Sequence, residues 1–456
     1  MAQLGTPEHP LRVAIVGSGP SGFYAADPLL KSEIACAIDM YDRLPTPFGL
    51  VRGGVAPDHP KIRTVTKVYE KIAEKEGFRF LGNVMIGRDL SVAELRQHYD
   101  MILFSCGAET DRRLGVPGED LPGSHTATSF VGWYNGHPDY RNLDFDLSAD
   151  TAVIIGVGNV AMDVARILAK TPDELKETDI AQHALDALAA SRVKTIYVVG
   201  RRGAAQAAFT TPEIKEMGEL HDCVPAIAPE ELELDAVSQQ EETEERNVAR
   251  NMEIMRGYVG RDGGEKSRRM HFRFLLSPKE LRGSGRVESI VLEKNRLEGD
   301  APFQLKARST GACEEIPCGL VFRSIGYKGI EIPGVPFDAQ RGVFPNVAGR
   351  ITENGTVVPG LYAAGWIKRG PSGIIGTNKP DSLETAKNML EDAAMIAPCA
   401  ERDPLAIDRL LAGRGVRVVD LAGWNKIDAA EIARGQAVGK PRERFTSIAE
   451  MLAVLG

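Results

Sequence analysis

Cysteine is scarce in this chain: six in 456 residues, at positions 36, 106, 223, 313, 318 and 399. That is too few for a disulfide scaffold in a chain of this length, and it points to a reducing compartment. No C-x4-C-x2-C or C-x2-C-x2-C run is present, so an iron–sulfur cluster held by this chain is not expected, and no metal ligands are assigned. Long apolar runs are missing too. Nothing approaches the roughly 18 residues of a membrane-crossing helix. The opening MAQLGTPEHP has neither the basic start nor the apolar stretch of a signal peptide. The expectation is a soluble, cytoplasmic, monomeric protein. Positive charge is in deficit, with 55 Lys+Arg against 63 Asp+Glu and a formal net charge of −8. A nucleic-acid or anionic-membrane binder has the opposite balance, so any basic docking patch here must be local.

What is present in excess is glycine, 47 residues, and its placement is informative. The length predicts two or three domains at roughly 150 residues each. A continuous apolar run, Val13–Val16, enters Gly-Ser-Gly-Pro-Ser-Gly, followed by a helical pattern over Phe23–Lys31 and a short strand over Ile38–Tyr41. Short buried runs alternating with helices are the mark of a parallel sheet. The plan restarts at Ala152 with AVIIGVGNVAMDVARILA and a further strand at Thr195–Val199. Pro229–Arg256 reads as an acidic, helical excursion, and strands resume at Met270–Leu276 and Val287–Leu292. A late glycine-rich segment, GLYAAGWIKRGPSGIIGTN (360–378), is compatible with a third nucleotide site or with a return to the first domain.

The first fingerprint is Gly17, Gly19 and Gly22, a G-x-G-x-x-G between strand and helix. The first glycine makes the tight turn, the second admits a pyrophosphate to the backbone, and the third lets helix and strand pack. Asp42 ends the next strand, where a carboxylate can take ribose hydroxyls. The second fingerprint is Gly156, Gly158 and Ala161. Its second strand ends not in an acid but in Gly200-Arg201-Arg202-Gly203. Paired arginines favour a ribose 2′-phosphate through charge-assisted hydrogen bonds. An acid at one site and an arginine pair at the other fit FAD plus NADP(H).

Four blocks then resemble one family: LPTPFGLVRGGVAPDHPK (44–61), GNVAMDVARIL (158–168), VVGRRGAAQAAFTTPE (198–213) and GWIKRGPSGIIGTN (365–378). They are similar to adrenodoxin-reductase-type NADPH–ferredoxin reductases, in particular the stand-alone bacterial members, and the resemblance spans essentially the whole chain. Many two-dinucleotide flavoproteins carry Asp where Trp366 stands, which separates this sequence from thioredoxin-reductase and lipoamide-dehydrogenase relatives.

The resemblance implies an α/β fold of two Rossmann-like domains in a glutathione-reductase-like arrangement. An FAD domain covers 1–108 and 330–456, with an NADP domain inserted at 109–329. It implies FAD along the first fingerprint, with Ser21 at the pyrophosphate, Asp42 at the adenosine ribose and Leu50 beside the flavin. The strand GNVMI would meet adenine around Val84 and Ile86, and Trp366, Gly373, Ile374 and Ile375 would meet the flavin ring. Glycine at 373 is expected to leave room for nicotinamide. NADP would lie on Val157, Gly158, Asn159 and Val160, with Arg201, Arg202, Arg112, Glu213 and Gly373. The alternative for Arg112 is a surface ion pair in the crossover between the domains.

His59 and Glu213 are the polar pair implied at the redox centre. Flavin and nicotinamide carry hydride chemistry themselves, but a proton must still be moved, and histidine ordinarily titrates near neutrality. The alternative is structural: His59 ordering a loop, and Glu213 in the first turn of a helix capped by Thr211 with Pro212 at its first position. The implied reaction is hydride from NADPH to FAD, then single electrons to a ferredoxin. A downstream cytochrome P450 system is compatible with this, but the sequence does not identify it. The candidate docking face is Arg246 and Arg250, four apart and on one helical face, with Arg268 and Arg269 as an extension; the same segment carries Glu241, Glu242, Glu244 and Glu245, so it reads equally as a solvated, salt-bridged helix.

Overall fold

The computed structural model describes residues 4–456. Leu11–Val16 is buried at every position, as a central strand covered on both faces must be. It pairs in parallel with Cys36–Tyr41 on one side and Met101–Phe104 on the other. Phe78–Leu81 extends the sheet beyond Cys36–Tyr41. Beyond Met101–Phe104 the sheet is completed from the far end of the chain: Thr356–Ala363 joins in parallel, then Arg350–Glu353 and Asn346–Val347 in antiparallel. The helix Pro20–Lys31 begins with Pro20 in its first turn and buries Phe23, Ala25, Ala26 and Leu29. Phe23 stacks on Tyr69 at 5.0 Å in an aromatic cluster with Phe48 and Phe78.

A second sheet of six strands runs Ser124–Thr126, Leu320–Arg323, Thr151–Ile155, Thr195–Val199, Arg268–Arg273, Cys223–Ala226. All its neighbours are parallel. Its helix Asn159–Ala169 is almost wholly buried. The chain passes between the two sheets twice, and the crossings lie side by side: Thr110–Asp111 pairs antiparallel with Tyr327–Lys328.

The strand expected at Val287–Leu292 is found as Ser289–Glu298, the middle of a three-stranded antiparallel sheet with Leu276–Arg282 on one side and, without a counterpart among the strands expected from the sequence, Lys306–Pro317 on the other. Its outer strand is largely exposed and polar, so it lacked an apolar run to mark it. GNVMI (82–86) is not a strand; the strand stops at Leu81, and Asn83 takes a positive φ of 61° that breaks the ladder. No helix among the described residues is long and apolar enough to cross a membrane.

Candidate functional site

One cleft of about 2850 Å³ runs between the two sheets, with the first fingerprint on one wall and the second on the other. The two turns are built alike. Gly17 has φ +108° and a Cβ there would lie 2.6 Å from the Ser105 carbonyl; Gly156 has φ +133° and a Cβ would lie 2.1 Å from the Ser324 carbonyl. Neither position admits a side chain. At Gly19 and Gly158 the reverse holds: a Cβ would meet nothing within 4 Å, because both face the cleft. Each caps a helix without a side-chain cap, so the first N–H groups of Pro20–Lys31 and Asn159–Ala169 remain free for an anion.

Asp42 sits just past Cys36–Tyr41 and lines the cleft. Its carboxylate accepts from the Ser18 hydroxyl and from the Leu44 N–H at 2.9 Å. Burial pushes its pKa up, and the Ser18 contacts pull against that. Leu50, Val84 and Ile86 all line the cleft, Leu50 exposed and the other two largely buried. Ser21 faces the late glycine-rich segment, with Oγ 3.2 Å from Asn378 Oδ1. A Cβ on Gly365 would lie 2.1 Å from that same Oγ. The late segment therefore packs against the first fingerprint, and its strand Thr356–Ala363 belongs to the first sheet. Trp366 opens a short helix there and stacks on Tyr327 at 5.4 Å, while its Nε1 is buried with no partner among the described residues. Gly373 lines the cleft with φ +82°, and a Cβ there would strike the Thr377 hydroxyl at 2.2 Å, a local reason for glycine that the sequence did not show. Ile374 and Ile375 follow on the cleft wall, Ile374 being 58% exposed.

On the opposite wall lie Val157, Asn159 and Val160, with Arg201, Arg202 and Arg112. Asn159 Oδ1 accepts from the Thr210 N–H at 2.8 Å, which fixes the loop after Arg201-Arg202 against the fingerprint. Arg112 enters no ion pair among the described residues; its backbone N–H donates to Gly326 O at 3.0 Å. Thr211 is not the helix cap. Thr210 occupies that place, and the Thr211 hydroxyl bonds Asn251 at 2.7 Å instead.

His59 and Glu213 lie close together, though the direct partner of His59 is Glu216. His59 Nε2 lies 2.8 Å from Glu216 Oε2, and one ligand atom from each of His59, Glu213 and Glu216 falls within 4.8 Å of the others. Behind them sits Arg166, 2% exposed. It donates to Asp58 at 2.7 and 3.1 Å, to Asp163 at 2.5 Å and to Glu213 at 3.0 Å. Burial raises the Glu213 pKa to about 7, with the nearby Asp163 charge adding to it. Burial also opposes ionisation of Asp58, but its hydrogen bonds and charge contact with Arg166 prevail and hold its pKa below the carboxylate range.

A family model described as pyridine nucleotide-disulphide oxidoreductase matches residues 11–197. The NADPH-ferredoxin reductase FprA of Mycobacterium tuberculosis is 46% identical, covering 98% of this chain and 99% of its own. The mitochondrial NADPH:adrenodoxin oxidoreductase of Homo sapiens is 45% identical over 99% of this chain and 93% of its own. A solved structure of the Mycobacterium tuberculosis FprA in complex with NADPH superimposes with a TM-score of 0.92 at 46% identity, covering 98% of this chain and 100% of that one. The chain belongs to the family of NADPH-dependent ferredoxin and adrenodoxin reductases.

In this reductase all six cysteines are free, and Cys106, which lines the cleft, has its thiol pushed up to about 12 by burial. The residues missed from sequence are those of the ionic cluster: Asp58, Asp163, Arg166 and Glu216. The one signal for them was Asp163-x-x-Arg166, a charged pair three apart inside an otherwise apolar, buried helix.

Proposed function

We propose that this reductase takes hydride from NADPH and passes electrons singly to a ferredoxin-type iron–sulfur protein. FAD would lie along the first fingerprint and NADP(H) along the second. The observation that carries this is the matched pair Gly19 and Gly158, two backbone cradles left open toward one cleft. The residues present suit both groups: free helix N–H donors for two pyrophosphates, Asp42 for a ribose, and Arg201 and Arg202 for a 2′-phosphate. The unpartnered Trp366 Nε1 is a buried donor of the kind a bound polar ligand satisfies. Bound flavin supplies the exchange between two-electron and one-electron chemistry.

The chain's own residues then bind, orient and move a proton. Ser21, Leu50, Val84, Ile86, Trp366 and the backbone of 373–375 would hold the flavin, and Val157–Val160, Arg112 and the arginine pair the coenzyme. Around the reacting end, four carboxylates (Asp58, Asp163, Glu213, Glu216) face two fixed cations, Arg166 and Lys170, the latter 3.0 Å from Asp58. Two negative charges are left for protons to balance. His59 Nε2 and the Glu213 carboxyl are the sites that take them up and release them as the redox state changes.

For the partner, Arg246 and Arg250 are exposed on the helix Arg246–Arg256 and enter no ion pair among the described residues. Arg250 also borders the cleft, which supports electron exit beside it. Arg268 is not part of such a face, since Asp222 engages it at 2.8 Å. Anaerobic mixing with NADPH tests the reading. The yellow protein should bleach rapidly with NADPH and slowly with NADH, and heat should release free FAD. Colourless purified protein, or equal bleaching by both coenzymes, would contradict it.

A further inference from the structure

A second cavity of about 310 Å³ opens beside the main cleft. Arg201, Arg202 and Ser277 line both spaces, and the far wall of the smaller one is Leu305, Lys306, Ala307 and Arg308. Four cations thus surround it. Lys306 and Arg308 are two apart on the strand Lys306–Pro317 and so share a face. The strand belongs to the antiparallel sheet that the sequence did not reveal, and that sheet is fastened to the arginine loop. Asn295 donates to Arg201 O at 2.9 Å and to Ser277 Oγ at 2.8 Å. A buried carboxylate holds the other side: Glu241 accepts from Gln206, just past the arginine pair, and from the Phe303 N–H, just before Lys306, each at 2.6 Å. Glu241 was expected to be a solvated surface acid; it is 1% exposed. Arg308 has one acidic neighbour, Glu298, at 3.5 Å, and Lys306 enters no ion pair among the described residues.

We infer that Lys306 and Arg308 complete, with Arg201 and Arg202, a four-cation pocket for a phosphomonoester dianion, the 2′-phosphate of NADPH. This rests on the coenzyme reading above and adds to it two specificity residues from a separate sheet. The physical basis is simple. A phosphomonoester carries close to two negative charges and three acceptor oxygens, more than two guanidinium groups on one loop can surround. Cations from a second, independently anchored element close the remaining side.

The test compares wild type, K306A/R308A and R201A/R202A, each first shown to keep the wild-type thermal midpoint. KM is measured for NADPH and NADH, and inhibition constants for 2′-AMP and 5′-AMP. In K306A/R308A the NADPH KM and the 2′-AMP constant should each rise about three- to tenfold, because both side chains are exposed and screened. The NADH and 5′-AMP values should move less than about twofold. If R201A/R202A loses NADPH preference but K306A/R308A keeps it, the inference falls and the coenzyme reading stands. If the wild type does not distinguish NADPH from NADH, the underlying reading falls as well. Inorganic phosphate supplies the last arm. Were it to raise the thermal midpoint further at saturating 2′-AMP, and only with Lys306 and Arg308 present, the cavity would hold a separate anion and the assignment to coenzyme would be overturned.

Discussion

Arg166, from a helix of the second sheet, donates two hydrogen bonds to Asp58, from a loop of the first, at 2.7 and 3.1 Å. The pair is buried on both sides, 2% and 4% exposed at the side chains. It is a clamp across the cleft, and it holds the neighbouring His59 against Glu216. Breaking a buried ion pair by removing one partner leaves an uncompensated charge and typically costs about 3–5 kcal/mol. Arg166→Gln should therefore destabilise the protein by about 3 kcal/mol, read by denaturant unfolding at neutral pH. A change below about 1 kcal/mol would mean that the cluster is wetter than its geometry indicates.

The pH dependence has a sign that follows from Glu213. Its folded pKa, about 7, lies above its ordinary 4.5, so the folded protein binds more protons than the unfolded chain between those values. Its contribution to stability is complete below about pH 4.5 and falls as pH rises toward 7. Glu213→Gln imitates the protonated form and should flatten stability across that window. If the proton reading is right, the same substitution also shifts the pH profile of the ferredoxin-linked rate. Identical stability and rate profiles for wild type and variant would place Glu213 among structural residues.

Alanine substitutions at the two fingerprints should behave oppositely. Gly17→Ala and Gly156→Ala introduce a Cβ into a carbonyl at positive φ, and loss of folded protein is expected. Gly19→Ala and Gly158→Ala meet open space at ordinary φ of −77° and −106°, so they should fold with an unchanged thermal midpoint as apoprotein. Their cost falls on ligands. Gly19→Ala should purify with depleted FAD, and Gly158→Ala should retain FAD but show a raised KM for NADPH. Full occupancy and unchanged KM in both variants would refute the cradle assignment.

At the docking face, charge reversal at Arg246 and Arg250 should slow the ferredoxin-dependent rate while leaving reduction of a neutral dye nearly untouched. Raising ionic strength should do the same to wild type, since exposed charges are screened within about 10 Å at 0.1 M salt. A ferredoxin rate indifferent to both salt and reversal would move docking elsewhere on the cleft rim.

Much of this site was legible because dinucleotide cradles are local. Gly17, Gly19, Gly22, Asp42 and the arginine pair sit within short stretches whose spacing alone encodes strand, turn and helix. What was not legible is assembled across the chain. Arg166 looked like one polar break in an apolar helix, and only the fold brings Asp58 to it from 108 positions away. Glu241 read as one of a run of solvated acids, yet it is the buried anchor between two loops. The strand Lys306–Pro317 faces solvent along most of its length and so carried no alternating apolar signal. At Gly373 the contact with Thr377, which a Cβ would strike, lies four residues on and carries no sequence signal of its own.

Cytochrome c reduction by purified protein with NADPH, measured with and without an added [2Fe–2S] ferredoxin, tests the central claim most directly. The account predicts a slow rate without ferredoxin, a large saturable increase with it, and little activity when NADH replaces NADPH. A rate that ferredoxin does not increase, with flavin bound and reducible by NADPH, would contradict it.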